Sequence, residues 1–227
     1  MQELSPAAAL TILQAGFLTL PILLILWVAR AARSLHLAIG ASAWLILTSL
    51  LAHLSLLSDF SATPPRAPIL LGVTMALTLA IASTRHGQTI ARRPASWLIG
   101  VQAFRLPVEL LIHLATTQHI APPQLTWSGL NFDIITGITA LLLAPFAHRA
   151  PRALLLGWNI LGCGLLLNVM VVAILSLPTP LQQLHPDNTW VTHFPYVSLP
   201  TILVPTALLA HIALFRKLLS RPHSASA

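Results

Sequence analysis

The sequence predicts an all-α membrane protein, a polytopic bundle of about seven transmembrane helices. Hydrophobic residues make up 56% of its 227 positions and charged residues only 7%, whereas a soluble domain carries about 25% charged residues. The apolar residues form long runs separated by short polar stretches, which is the pattern of membrane helices. The sequence lacks the strict alternation that is typical of outer-membrane strands.

The apolar runs each approach the ~20 residues that a helix needs to cross ~30 Å of hydrocarbon. We expect one transmembrane bundle over residues 1–220 and a disordered cytoplasmic tail at 221–227. The residues before the first run include Glu3 but no Lys or Arg, whereas a cleaved secretory signal carries positive charge there. We therefore expect the first run to be retained as a helix. The predicted helices cover residues 7–30, 35–58, 67–84, 95–117, 129–147, 153–177 and 195–217.

The basic residues predict the orientation of the bundle. If the N-terminus lies outside, the cytoplasmic segments hold ten of the twelve Lys and Arg residues, as the positive-inside rule requires. The C-terminus is then cytoplasmic. Topology and contact with lipid headgroups account for the net charge of +7, so we expect the lipid bilayer, and no nucleic acid, as a partner.

The fourth predicted helix carries a polar face that lipid cannot accommodate. Gln102, Arg105, Glu109 and His113 follow one another at spacings of three, four and four residues, which places them on one side of a helix. Pro107 lies among them and frees the carbonyl of an earlier residue by lacking an N–H group. Intramembrane charges are functional candidates because each costs several kcal/mol unless paired or hydrated.

The fifth predicted helix adds a second carboxylate, Asp133, on a face with small residues that allow close helix packing. One arginine cannot neutralise two carboxylates, so the trio of Arg105, Glu109 and Asp133 implies a bound cation, a titrating proton or water. The alternative is a structural network of helix-to-helix hydrogen bonds. Catalytic residues cannot be assigned, and the candidate substrate- or ion-binding residues are Arg105, Glu109, Asp133, Asn131, Asn168 and Gln102.

Two histidines form a candidate metal site. Counted from the outer helix ends, His53 and His113 fall at nearly the same depth, and histidine with carboxylate is a usual ligand set for iron, zinc or manganese. Two facing histidines are also able to ligate haem. No His-x-x-x-His pair or HExxH motif supports this site.

Three segments resemble a known group of proteins. QAFRLPVELLIHLA, GLNFDIITGITA and FPYVSLPTILVPTALLAH resemble segments of an uncharacterised family of bacterial seven-helix integral membrane proteins. The resemblance runs from the fourth predicted helix to the end of the chain. It implies a multi-pass protein of the bacterial cytoplasmic (inner) membrane and implies no activity.

Three functions remain open at this point. The first is binding or transport of a small solute or ion, with or without proton coupling, and it follows from the polar groups found at every depth. The second is a membrane-embedded redox protein or enzyme with a metal ion or haem. The third is a non-catalytic subunit that acts in a homo-oligomer or with a partner membrane subunit. A retinal pigment is excluded because Lys217, the only lysine, lies at the cytoplasmic end.

Overall fold

The computed structural model describes residues 5–220, and this part of the chain is all-α, without strands. The predicted tail at 221–227 lies outside the described residues. Two one-turn 3₁₀ helices, Pro123–Leu125 and Trp190–Thr192, lie between longer helices. The longer helices, counting directly consecutive helical stretches as one, are α1 (Pro6–Ala32), α2 (Leu35–His53), α3 (Arg66–Ser83), α4 (Arg85–Ala91), α5 (Ala95–Thr117), α6 (Ile134–Phe146), α7 (Arg152–Leu175) and α8 (Leu199–Leu219).

Six of these helices are long and apolar enough to cross a membrane by length and composition: α1, α2, α3, α5, α7 and α8. The seventh apolar segment, α6, is shorter. Large apolar side chains are exposed along α1 and α2, including Ile22 at 53%, Leu23 at 59% and Ile46 at 68%. A water-facing surface would not carry apolar side chains in such contiguous stretches.

Local sequence signals explain where several helices begin and end. Ser5 caps α1 by accepting a hydrogen bond from the N–H of Ala8 at 3.3 Å. Arg33 ends that helix in the left-handed conformation, with φ at 52°, and Ser34 caps α2. Pro65 and Pro151 stand in extended conformation directly before α3 and α7, where the fixed φ of proline fits a helix start.

Helix α2 is shorter than the apolar run that predicts it. The run extends over residues 35–58, whereas α2 ends at His53. Ser55 adopts a positive φ of 55°, which ends a helix in the way a left-handed residue usually does. The apolar residues that follow belong to the connection, where Leu57 is buried.

The segment before α6 departs most from the prediction. The apolar run 129–147 predicts a helix from Gly129, whereas the helix begins at Ile134. The preceding segment, residues 121–133, is mostly non-helical, yet Leu125 is only 3% exposed and Asn131 fully buried. Its backbone is satisfied internally, since the N–H of Leu130 donates to the carbonyl of Gln124 at 3.1 Å.

Two large apolar clusters and a small third one fill the bundle, and α5 contributes to both large clusters. One large cluster includes Phe17, Trp190 and Tyr196, whose rings meet edge to face or at a tilt. The other large cluster includes Leu98 and Leu214. We call the end with residues 54–65, 118–128 and 176–198 the loop-rich end and the end with residues 30–34, 84–94, 147–151 and 216–220 the basic end.

Arginines at the basic end also hold helix ends in place. The Arg93 guanidinium donates to the carbonyls of Ala31, at 2.9 Å, and of Arg30. The Arg216 guanidinium donates to the carbonyl of Ala82 at the end of α3. Basic groups stabilise helix C-termini through the unpaired carbonyls and the helix dipole. These two arginines therefore have a structural role besides any role in orientation.

Candidate functional site

A local change of helix type in α5 positions the first site residues. The stretch Val101–Phe104 is 3₁₀ and gives way to an α-helix at Arg105. Pro107 has no N–H group, so the carbonyl four residues earlier lacks its usual partner, and the backbone tightens there. Gln102, Arg105 and Glu109 all point into the protein, with exposures of 0%, 2% and 2%.

Arg105 forms a buried ion pair with Asp133. Its Nη1 atom lies 2.6 Å from Oδ1 of Asp133, and the two side chains are only 3% and 7% exposed. The same nitrogen donates to the carbonyl of Gly162 at 3.2 Å. The hydroxyl of Thr136 donates to the same Asp133 oxygen at 3.4 Å. The arginine charge is therefore neutralised by Asp133.

The pair continues into α8 through His211, which is fully buried. Nη2 of Arg105 lies 3.1 Å from Nε2 of His211, and Nδ1 of His211 lies 2.7 Å from Oδ1 of Asn159. Because arginine only donates, Nε2 accepts and Nδ1 carries the proton. Asn159 returns a hydrogen bond from Nδ2 to the His211 carbonyl at 3.1 Å. We call these two hydrogen bonds between His211 and Asn159 the clasp. The clasp holds the imidazole in its neutral form, with Nε2 as the acceptor that faces Arg105.

Glu109 has a different environment from Asp133. Nδ2 of Asn131 donates to Oε1 of Glu109 at 2.7 Å, whereas Oε2 is buried with no hydrogen-bond partner. Within residues 5–220, no Lys, Arg or His nitrogen lies within 4.0 Å of this carboxyl group. Asn131 also accepts the N–H of Asp133 at 3.0 Å. The Asn131 amide thus connects the Glu109 carboxyl group to the backbone of Asp133. Of the two carboxyl groups, only that of Asp133 has a cationic partner.

A cavity of about 120 Å³ adjoins the trio and reaches toward the loop-rich end. Arg105, Glu109 and Asp133 line its deep end, and Asn188 and Thr192 line the part next to the loop-rich end. The rest of its wall is almost entirely apolar and comes mainly from α3, α5, α7 and α8, with further apolar residues from the connecting segments. The wall of α8 includes the π-helical turn Leu199–Leu203, a distortion that is frequent at functional sites.

Two other predicted site residues lie apart from the trio. Nε2 of Gln102 donates to the carbonyl of Ala207 at 3.1 Å, which ties α5 to α8. Nδ2 of Asn168 donates to the carbonyl of Leu130 at 2.7 Å, and this asparagine is half-buried. Both bonds join a side chain to the backbone of another segment. Their contacts are those of structural links, and neither residue lines the cavity.

The two predicted metal ligands have separate aromatic neighbours. The ring of His113 stacks on Trp127 with centroids 4.3 Å apart, and His53 meets Phe194 edge to face at 6.4 Å. Among the described residues, no group of three or more His, Cys, Asp and Glu side chains is placed to hold a metal ion. The metal or haem site at these histidines stays a prediction without geometric support.

His211, Asn159 and Gly162 belong to the site, although sequence reasoning assigned them no role in it. A Cβ atom on Gly162 would lie 2.8 Å from Cε1 of His211, so only glycine leaves room for the imidazole. The available signal was the polar pair Asn159 and His211 inside two apolar runs. Their contact with Arg105 depends on how α5, α7 and α8 pack, which a single sequence does not reveal.

These features define a class of all-α protein in which six helices are long and apolar enough to cross a membrane. Inside it, a buried Arg–Asp ion pair lies beside a second buried carboxyl group that has no cationic partner. The chain belongs to the family described as domain of unknown function DUF8737, whose model matches residues 64–219. The match includes every residue of the trio and of the clasp at His211. No curated protein and no solved structure matches the chain.

Proposed function

We propose that the chain is an integral membrane protein that binds a small solute or cation at Glu109, for transport or sensing across the bilayer. The exposed apolar faces of α1 and α2 would contact lipid. The basic end would lie in the cytoplasm by the positive-inside rule, and the loop-rich end with the cavity would face outward. Residence in a bacterial inner membrane remains part of this proposal.

The observation that carries the proposal is the unpartnered Oε2 atom of Glu109 on the wall of the cavity. A carboxylate that is buried without a cation or sufficient hydrogen bonds costs several kcal/mol. A proton, a bound cation or a hydrogen-bond donor on a solute would each remove this cost. The site is therefore suited to a ligand whose binding is linked to a proton or a positive charge.

The Arg105–Asp133 pair supports binding rather than free proton conduction. Hydrogen bonds connect Asp133, Arg105, His211 and Asn159 in series. They join the segment before α6 to α5, α8 and α7. Arginine keeps its proton at all physiological pH values, so a proton cannot pass along this series. We assign Arg105 and Asp133 to holding the deep end of the cavity and Glu109 to contact with the ligand.

Binding is tested by thermal unfolding of the purified protein in detergent, with Li⁺, Na⁺, K⁺ and NH₄⁺ compared at constant ionic strength. A ligand that binds only the folded protein raises its stability by about 2.7 kcal/mol at one hundred times its Kd. We expect one of these cations, or protons, to stabilise the wild type and not Glu109→Gln. The matched control is Asp187→Asn, the same change at an exposed carboxylate.

A response that is equal in the wild type and in Glu109→Gln would refute a ligand site at Glu109. If the cation response depends on Glu109, the next measurement is uptake of that cation into liposomes under an imposed gradient. Uptake that requires Glu109 supports transport. Binding without uptake favours a sensor or a subunit of a larger assembly.

A further inference from the structure

We infer that the ligand of this cavity is a small lipophilic ammonium ion, a molecule with one apolar body and one protonated nitrogen. The inference rests on the proposed function and names the ligand class for the same site. It follows from three properties of the cavity: the apolar wall, the charge at its deep end, and its size.

The wall of the cavity requires an apolar body. Apart from the trio, its lining is dominated by aliphatic and aromatic side chains from four helices, such as Leu71 of α3, Phe104 of α5, Met170 of α7 and Val204 of α8. A hydrated inorganic ion would leave this surface without favourable contacts. Burying an apolar ligand surface here contributes about 25 cal/mol per Å².

The deep end of the cavity favours a positive head group. Arg105 contributes +1, and Asp133 and Glu109 contribute −1 each when ionised, so the deep end has a net charge of −1 when Glu109 is deprotonated and of zero when it is protonated. Arg105 is already matched by Asp133 at 2.6 Å. A second cation at Glu109 completes the charge balance, whereas an anion would face an uncompensated carboxylate.

Unpartnered atoms at the deep end give the head group its hydrogen bond. Oε2 of Glu109 accepts and has no partner in the described protein, and the residue is 2% exposed. An ammonium group offers three donors and so satisfies this oxygen with a charge-assisted hydrogen bond. Nε of Arg105 is also buried without a partner. That donor is available to an anionic ligand, so an anion is the alternative that the experiment must exclude.

The size of the cavity sets the size of the ligand. The volume is about 120 Å³, and a dry protein cavity of about 150 Å³ holds one benzene molecule. The cavity is not fully enclosed and reaches toward the loop-rich end, so one six-membered ring with a short aminomethyl group is the upper size limit of a suitable probe, with part of the ring outside the enclosed volume. Benzylammonium matches this description, and benzyl alcohol and benzoate are its neutral and anionic counterparts of similar shape.

The three probes are compared by isothermal titration calorimetry on the purified full-length protein in detergent. We expect benzylammonium to bind, benzyl alcohol to bind more weakly, and benzoate not to bind. In Glu109→Gln the preference of benzylammonium over benzyl alcohol should fall by about 10- to 100-fold, because a charge-assisted bond is lost. Asp187→Asn, at an exposed carboxylate, should leave the preference unchanged.

A second pair of variants tests whether the apolar cavity is the place of binding. Ala67 lines the cavity on α3, and Ile69 on the same helix is exposed. Ala67→Phe should fill the cavity and abolish benzylammonium binding. Ile69→Phe adds a ring to the opposite surface of α3 and should leave binding unchanged.

The possible outcomes separate the two proposals. If an inorganic cation or a proton gives a Glu109-dependent response but benzylammonium does not bind, the lipophilic-cation inference is wrong and the proposed function stands. Binding of benzoate in preference to benzylammonium would overturn the inference in favour of an anion at Arg105. If no ligand or proton response depends on Glu109, both proposals are wrong.

Discussion

At the scale of single residues, the two buried carboxyl groups have different hydrogen-bond and ion-pair partners. Asp133 is bound to Arg105 at 2.6 Å and supported by Thr136. Glu109 has one amide donor, Asn131, and an unpartnered oxygen. A buried charge that has lost its partner is far more costly than a polar group replaced by its isostere. The two positions should therefore respond differently to the same change from carboxylate to amide.

We predict that Asp133→Asn destabilises the protein strongly and that Glu109→Gln does not. The first change leaves the Arg105 charge buried without a counterion, at a cost of about 3–5 kcal/mol. The second keeps the acceptor for Asn131 and removes an uncompensated charge. Thermal unfolding in detergent measures both, with Asp187→Asn as the exposed control. Equal losses at both positions would favour the structural-network alternative for the trio.

A second residue-scale prediction concerns the tautomer of His211. Arg105 donates to Nε2, so the proton lies on Nδ1 and points at Asn159. Nitrogen NMR of protein with labelled histidine should show this tautomer for the resonance that disappears in His211→Gln. Asn159→Leu removes the Nδ1 acceptor and should shift that resonance. A proton found on Nε2 would contradict the hydrogen bond from Arg105.

At the scale of elements, the sequence predicts the long helices better than the segment that completes the site. Runs of apolar residues between prolines and basic residues mark α1, α3 and α7 with small errors. Within the mostly non-helical segment 121–133, residues 129–133 read as the start of a helix because Leu130 and Phe132 continue the apolar run of α6. The true conformation of this segment depends on internal hydrogen bonds, such as that from Leu130 to Gln124, that periodicity does not encode.

The same limit applies to the candidate site. Helical spacing alone places Arg105 and Glu109 on one buried face, because their separation is fixed within one helix. The choice of Asp133 as the partner of Arg105, and of Asn131 as the partner of Glu109, depends on the segment before α6. Contacts between segments distant in sequence are set by packing, and no single-sequence pattern contains them.

An element-scale prediction tests the close packing of α6 on α5. A Cβ atom at Gly137 would lie 2.5 Å from the backbone nitrogen of Leu106, so α6 would have to move away from α5. Gly137→Ala should lower thermal stability and weaken any Glu109-dependent ligand response. Gly157→Ala on α7 is the matched control, because its Cβ meets nothing within 4 Å. That change should be neutral or stabilising by up to about 1 kcal/mol.

At the scale of the whole molecule, the cavity and the cluster of arginines lie toward opposite ends of the bundle. The cavity reaches the loop-rich end, whereas arginines concentrate at the basic end, where Arg93 and Arg216 hold the ends of α1 and α3. If the basic end is cytoplasmic, a ligand reaches Glu109 from outside the cell. The orientation in the membrane therefore decides whether the site binds molecules from outside the cell or from the cytoplasm.

The orientation predicts which positions a membrane-impermeant thiol reagent reaches in intact cells. In a Cys163→Ala background, which removes the only cysteine, His185→Cys lies at the loop-rich end and His148→Cys at the basic end. Both histidines are exposed, so the two variants are matched in residue type and accessibility. We expect labelling of His185→Cys in intact cells and of His148→Cys only after the membrane is opened. The reverse pattern would place the cavity on the cytoplasmic side, and the ligand would then have to come from the cell interior.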